Sequence, residues 1–121
     1  MATNNQMVCV THEAGVDLSA KQYFFVSMSA DGQVDPTGDG VIAYGVLQNN
    51  PAAAGRAAEI AISGDVQVSA GGTVAAGAPV ASDAAGECVT AASGDIILGT
   101  AVTGGADGEI ITINFQPRGA A

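Results

Sequence analysis

Residues 58–80 read AEIAISGDVQVSAGGTVAAGAPV, with apolar side chains at alternate positions and a Gly or Pro every few residues. No other feature limits the fold as strongly. A repeat of two sends successive side chains to opposite faces of a strand, whereas a helix needs a repeat of about 3.6. Gly supplies the left-handed backbone positions of tight turns and destabilises helix interiors. Short strands joined by tight turns are the reading.

The rest of the chain follows the same grammar. In residues 23–29 (YFFVSMS), Phe24, Val26 and Met28 fall on one face and Tyr23, Phe25 and Ser27 on the other, a strand pattern. Residues 30–40 (ADGQVDPTGDG) read as a turn region and residues 41–47 (VIAYGVL) as a more continuously apolar strand. The loop QNNPAAAG follows. Ile60 and Ile62 share a face, Val66 and Val68 repeat the pattern, and Gly64 and Asp65 between them are expected to turn. Val80, Val89 and residues 96–102 continue the series. The clearest strand is 110–115, with Ile111, Ile113 and Phe115 inward and Thr112 and Asn114 outward. SGD recurs at residues 63–65 and 93–95, and GDGVIAYGV aligns without gaps with GDIILGTAV. That echo is recurring turn chemistry, with too few copies for a solenoid. The expected fold is all-β: a small antiparallel β-barrel or sandwich of about seven to nine short strands with Gly-rich turns. Residues 1–20 form a polar N-terminal arm or a first strand, and residues 21–121 a single β domain.

Twelve acidic residues against three basic ones (Lys21, Arg56, Arg118) give a formal net charge of −9. Such a chain cannot neutralise a row of phosphates, so nucleic acid is not an expected partner, nor is an anionic membrane. No window approaches the roughly eighteen apolar residues of a membrane span. The N-terminal residues lack a basic region followed by a long apolar one, so no secretory signal is expected. Cys9 and Cys88 are too few for a disulfide framework and are read as free, buried thiols of a protein made in the cytoplasm.

Reactive constellations fail one by one. His12 is the single histidine, which excludes a multi-histidine metal site, and no GxSxG elbow accompanies it. GDGVIA at residues 38–43 matches a dinucleotide fingerprint in letters, but it opens a strand where the fingerprint requires a helix. Asp31, Asp35 and Asp39 are four apart, and position twelve counted from Asp31 is Ile42, where a calcium loop needs Glu. Turn capping is the reading, with weak calcium binding at the three aspartates as the competing one. A lipoyl or biotinyl carrier would need a lysine at a hairpin tip, and Lys21 lies far from any candidate. No enzyme activity, cofactor or metal is expected.

Residues 45–51 (GVLQNNP), 57–64 (AAEIAISG), 66–77 (VQVSAGGTVAAG), 82–89 (SDAAGECV), 97–101 (ILGTA) and 108–113 (GEIITI) together resemble the capsid cement, or decoration, proteins of tailed bacteriophages. The resemblance covers roughly residues 40–115. It implies a small all-β virion protein, assembled in the host cytoplasm, that binds the outside of the phage head and reinforces it. Its implied partner is the major capsid protein, and its implied state a homotrimer at threefold positions. The family has no catalytic residues to carry over. For attachment, Met7, Val8, Cys9 and Val10 form a short apolar patch able to add as a strand to an edge on the capsid. An ordinary first strand of the barrel competes with that reading. A carbohydrate- or host-binding module of head-fibre or tip type is the alternative function, and it needs exposed aromatic rings.

Overall fold

The computed structural model describes residues 7–121, all without helix. Nine strands form one hydrogen-bonded sheet: β1 (Met7–Ala14), β2 (Phe25–Ala30), β3 (Gln33–Pro36), β4 (Gly45–Leu47), β5 (Ala57–Ser69), β6 (Pro79–Ser82), β7 (Cys88–Thr90), β8 (Gly99–Ala101) and β9 (Ile110–Phe115). Pairings run β1–β3–β2–β4–β5, and β5 pairs back to β1, so the first five strands close a ring. From β5 the sheet continues through β9, β8 and β6 to β7 as an open wing. The all-β expectation holds, as barrel-like and sandwich-like parts of one sheet. Its antiparallel rule is broken at the β1–β3 pair, which is parallel.

Two apolar cores follow from this layout. Ala14, Val26, Val34, Leu47, Ala58 and Ile60, drawn from all five ring strands, pack together with Leu18 inside the ring. Phe25, Val46, Ala61, Val66, Val68, Val80, Ile111, Ile113 and Phe115 fill the space between ring and wing. Adjacent residues therefore divide between cores: Phe25 from Val26, Val46 from Leu47, Ala61 from Ile60. All six are fully buried. This is why the chain alternates less cleanly here than a strand with one wet face. Each fully buried Val, Leu, Ile or Phe contributes about 1.5–3 kcal/mol of transfer free energy.

The expected turn at Gly64 and Asp65 is absent. Ser63, Gly64 and Asp65 lie inside β5, the thirteen-residue strand shared by ring and wing. Against β1, Val8 pairs with Ser63 and Cys9 with Ala61, leaving Ile62 as an extra residue, a β-bulge. The bulge shifts the alternation by one. Ile60 enters the ring core while Val66, an even number of residues onward, enters the other. Gly64 sits just past it at φ 94°, in the left-handed region that a branched side chain resists.

Four further expectations change. The supposed turn region of residues 30–40 contains β3, whose Val34 is fully buried against the ring. Only residues 45–47 of the expected 41–47 strand pair with neighbours. Thr112, expected outward, is buried: its carbonyl accepts N–H bonds from Val102 and Thr103, and its own N–H donates to the Thr103 hydroxyl at 2.9 Å. In residues 23–29 the strand starts only at Phe25, because Tyr23 takes φ 70°. Tyr23 there donates its N–H to the Leu47 carbonyl at 2.7 Å and accepts from Ser69 N–H at 2.8 Å.

Candidate functional site

His12, the single histidine, lies on β1 with its Nε2 3.0 Å from the Tyr44 hydroxyl. The two rings meet edge to face, centroids 5.2 Å apart. Thr11, His12 and Glu13, the β2–β3 turn at Asp31 and Gly32, and Gly55 and Ala57 border an open cleft of about 390 Å³. Neither thiol is hydrogen-bonded to His12 among the described residues, so no nucleophile and base are paired there. Asp35 accepts a bond from the Ser29 hydroxyl at 3.0 Å, while Asp31 borders the cleft. No group of three or more His, Cys, Asp or Glu side chains able to hold a metal forms among the described residues.

The cysteines differ in setting. Cys9 is half-buried, and its thiol pKa is raised by burial and then by the Glu59 charge. Cys88 is fully buried; burial, helped by the Asp83 charge, pushes its thiol from an ordinary 9.0 up to about 12. The folded chain thus keeps a proton that the unfolded chain loses above about pH 9, so this contribution is whole below that pH and declines toward 12. Urea unfolding of wild type should show a drop across that window on the order of 4 kcal/mol at most. Cys88→Ala should lack that component; an identical pH profile in the variant contradicts the assignment.

Among the described residues, the surface presents several exposed apolar side chains. Met7, Val8, Cys9 and Val10 lie in β1 and pair with β5 from Met7–Gly64 to Val10–Ile60. Cys9 packs against the core between ring and wing and Val10 against the ring core, while Met7 and Val8 stay exposed. Among the described residues the other edge of β1 is mostly open: only Glu13 and Ala14 pair with β3, and Glu13 N–H donates to the Gly32 carbonyl at 2.9 Å. By strand alternation the Cys9 and Thr11 N–H groups point the same way as that of Glu13. Residues 1–6 of the expected arm lie outside the described residues.

Sequence reasoning missed a second apolar surface. Val41, Ile42 and Tyr44 are 48%, 55% and 37% exposed, while Ala43 between them is buried in the core. The run reads as a continuously apolar strand because its composition is that of one. The signal against that reading is the GDG before it, which holds Gly40 at φ 67° and pins it to the wing. Its N–H donates to the Ser82 carbonyl and its own carbonyl accepts from Ile96 N–H, both at 2.9 Å.

Over 96% of this chain and 98% of its counterpart, the fold matches the head fiber gp8.5 N base of bacteriophage phi29, with a TM-score of 0.72 and 19% identity. That likeness is one of fold. No curated protein matches the chain in sequence. The family model described as phage cement protein matches residues 2–115, nearly the whole chain and both of its cores. Matched by that model over nearly its whole length, this all-β chain is a structural protein of the phage head and belongs to the phage cement protein family.

Proposed function

We propose that this chain binds the outer surface of the assembled phage head and stabilises it by bridging major capsid subunits, as a homotrimer at threefold positions. The family match over residues 2–115 carries this reading. The physical logic is mass action: a protein that binds the assembled shell and not its separated parts stabilises the shell. A micromolar contact is worth about 8 kcal/mol, and repetition over the head multiplies it. Shape and apolar complementarity suffice, and no bond need be made or broken. Assembly in the host cytoplasm, with two free thiols, fits the same reading.

Met7, Val8, Cys9 and Val10 enter this proposal as a capsid contact, through the exposed side chains of Met7 and Val8 and the open edge of β1. Heads lacking the protein should regain resistance to heat and osmotic shock when purified protein is added back, and Val8→Asp should weaken that rescue. Equal survival of bare and decorated heads refutes the cement role; unchanged rescue by Val8→Asp removes only the β1 contact. Light scattering on free and head-bound protein tests the trimer. The fold likeness to a head fiber base supports a second reading, a carbohydrate- or host-binding module, with Tyr44 as its exposed ring. Retention on a glycan array without binding to heads would select it.

A further inference from the structure

We propose that residues 116–121 are an edge strap: they close a strand-docking edge at residues 94–98 that a second copy of this chain would otherwise fill. The segment folds back antiparallel along that edge, with Ala120 bridged to Ile96. Backbone bonds fasten it. Gln116 N–H donates to the Leu98 carbonyl at 2.9 Å, Arg118 N–H to the Ile97 carbonyl at 2.8 Å and Ala121 N–H to the Asp95 carbonyl at 2.8 Å. In return the Gly119 carbonyl accepts from Ile97 N–H at 3.3 Å and the Ala121 carbonyl from Gly94 N–H at 3.2 Å. The Arg118 guanidinium adds a bond to the Thr100 hydroxyl at 2.9 Å. Every residue of the strap is exposed, whereas Phe115 just before it is buried in the core. Apolar burial therefore stops at Phe115, and a segment held by surface hydrogen bonds opens without unfolding the rest.

The edge beneath is one that recruits strands. Residues 94–98 read GDIIL; Ile96 packs against the core between ring and wing, Leu98 is fully buried, and Ile97 is half-buried. Bare N–H and C=O groups beside strand-forming isoleucines invite pairing with another chain. The strap replaces that edge with Pro117, which has no N–H, and with the charge of Arg118, two features that keep an edge unpaired. The occupant follows from the edge itself, which already receives an antiparallel strand of this chain. Two bare edges set antiparallel about Ile96 bring Ile97 N–H of each copy to the Asp95 carbonyl of the other, the same groups that the strap takes. Such a contact is isologous, separate from any threefold one, and joins assemblies into larger ones. Charge does not produce it: losing Arg118 makes a chain of net charge −9 more acidic, which opposes association.

The test compares wild type with a variant ending at Phe115, which keeps the whole family match over residues 2–115, and with Arg118→Pro in the full chain. Arg118→Pro removes the N–H that reaches Ile97 together with the guanidinium. Light scattering over a concentration series gives the mass, thermal melts the folded state, and amide hydrogen exchange the protection of Ile97. Expected for the shortened variant is a cooperative melt and a mass about twofold or more above wild type as concentration rises. Its Ile97 amide should be protected in the larger species and exchange freely on dilution. Arg118→Pro should show the same shift at higher concentration. Wild-type mass in both folded variants overturns the strap, as does a larger species whose Ile97 amide stays unprotected, because association then uses another surface. If the shortened variant fails to fold, the segment is part of the core, and the proposal falls unless Arg118→Pro, folded, shows the shift with Ile97 protected.

Discussion

Replacing Phe25 with alanine is expected to lower the unfolding free energy by about 3–5 kcal/mol, much of the stability of a domain of this size. Phe25 is the largest fully buried side chain, and its ring lies 6.2 Å from that of Phe115, tilted by 37°. It belongs to the core between ring and wing, while its neighbour Val26 belongs to the ring interior. Its backbone joins the same parts: Phe25 N–H donates to the Gly86 carbonyl at 2.7 Å, and its carbonyl accepts from Thr37 N–H at 2.9 Å. Truncation leaves a cavity bounded by strands fixed from both sides, so little collapse can relieve it. Urea unfolding measures the loss. Ile110→Ala, at a half-exposed position, should change stability by less than about 0.5 kcal/mol in the same assay. A loss below about 1 kcal/mol for Phe25→Ala would show that ring and wing do not share a tight core.

Gly99→Val should be more damaging still, at more than about 4 kcal/mol. Gly99 is buried in β8, paired with Val80 of β6 on one side and Phe115 of β9 on the other. A Cβ placed there would run into the Asn114 carbonyl oxygen and come within 3.0 Å of its carbonyl carbon. Those atoms are backbone of the paired strand, so no rotamer change makes room. β8 would have to part from β9, and with it would go the strand pairing through which β6 and β7 join β9 in the sheet. Gly77 makes the informative comparison. Its φ is 85° and nothing lies within 4 Å of an added Cβ, so Gly77→Ala should cost only about 1 kcal/mol, through backbone strain alone. Thermal melts of the two variants separate lack of space from lack of conformational freedom; comparable losses would contradict that separation.

Both predictions concern glycine and aromatic positions whose importance is only partly visible in the chain. Local pattern makes β9 legible, because Ile111, Ile113 and Phe115 alternate and all three are buried. It also makes the apolar stretches of β5 legible. It hides β3, because QVDP carries turn residues and enters the sheet through pairing with β1 on one side and β2 on the other. It hides the continuity of β5, because SGD has the composition of a turn and Gly64 is used instead just past a bulge. The N-terminal patch was legible as apolar, while its pairing to β5 depends on a partner about fifty residues away in sequence. The exposure of Val41, Ile42 and Tyr44 is hidden for the same reason: burial is decided by what packs on a segment, not by its own hydropathy.

By itself, then, the sequence determined an all-β chain with aliphatic cores, close turns and a strongly acidic balance. These are consequences of side-chain alternation, backbone freedom at Gly and charge, all of which act within a few residues. Only the tertiary structure decided that five strands close a ring, which core receives each buried side chain, and which apolar residues stay outside. Those outcomes depend on strand pairings between distant segments and on a single extra residue in β5, and no local preference encodes either.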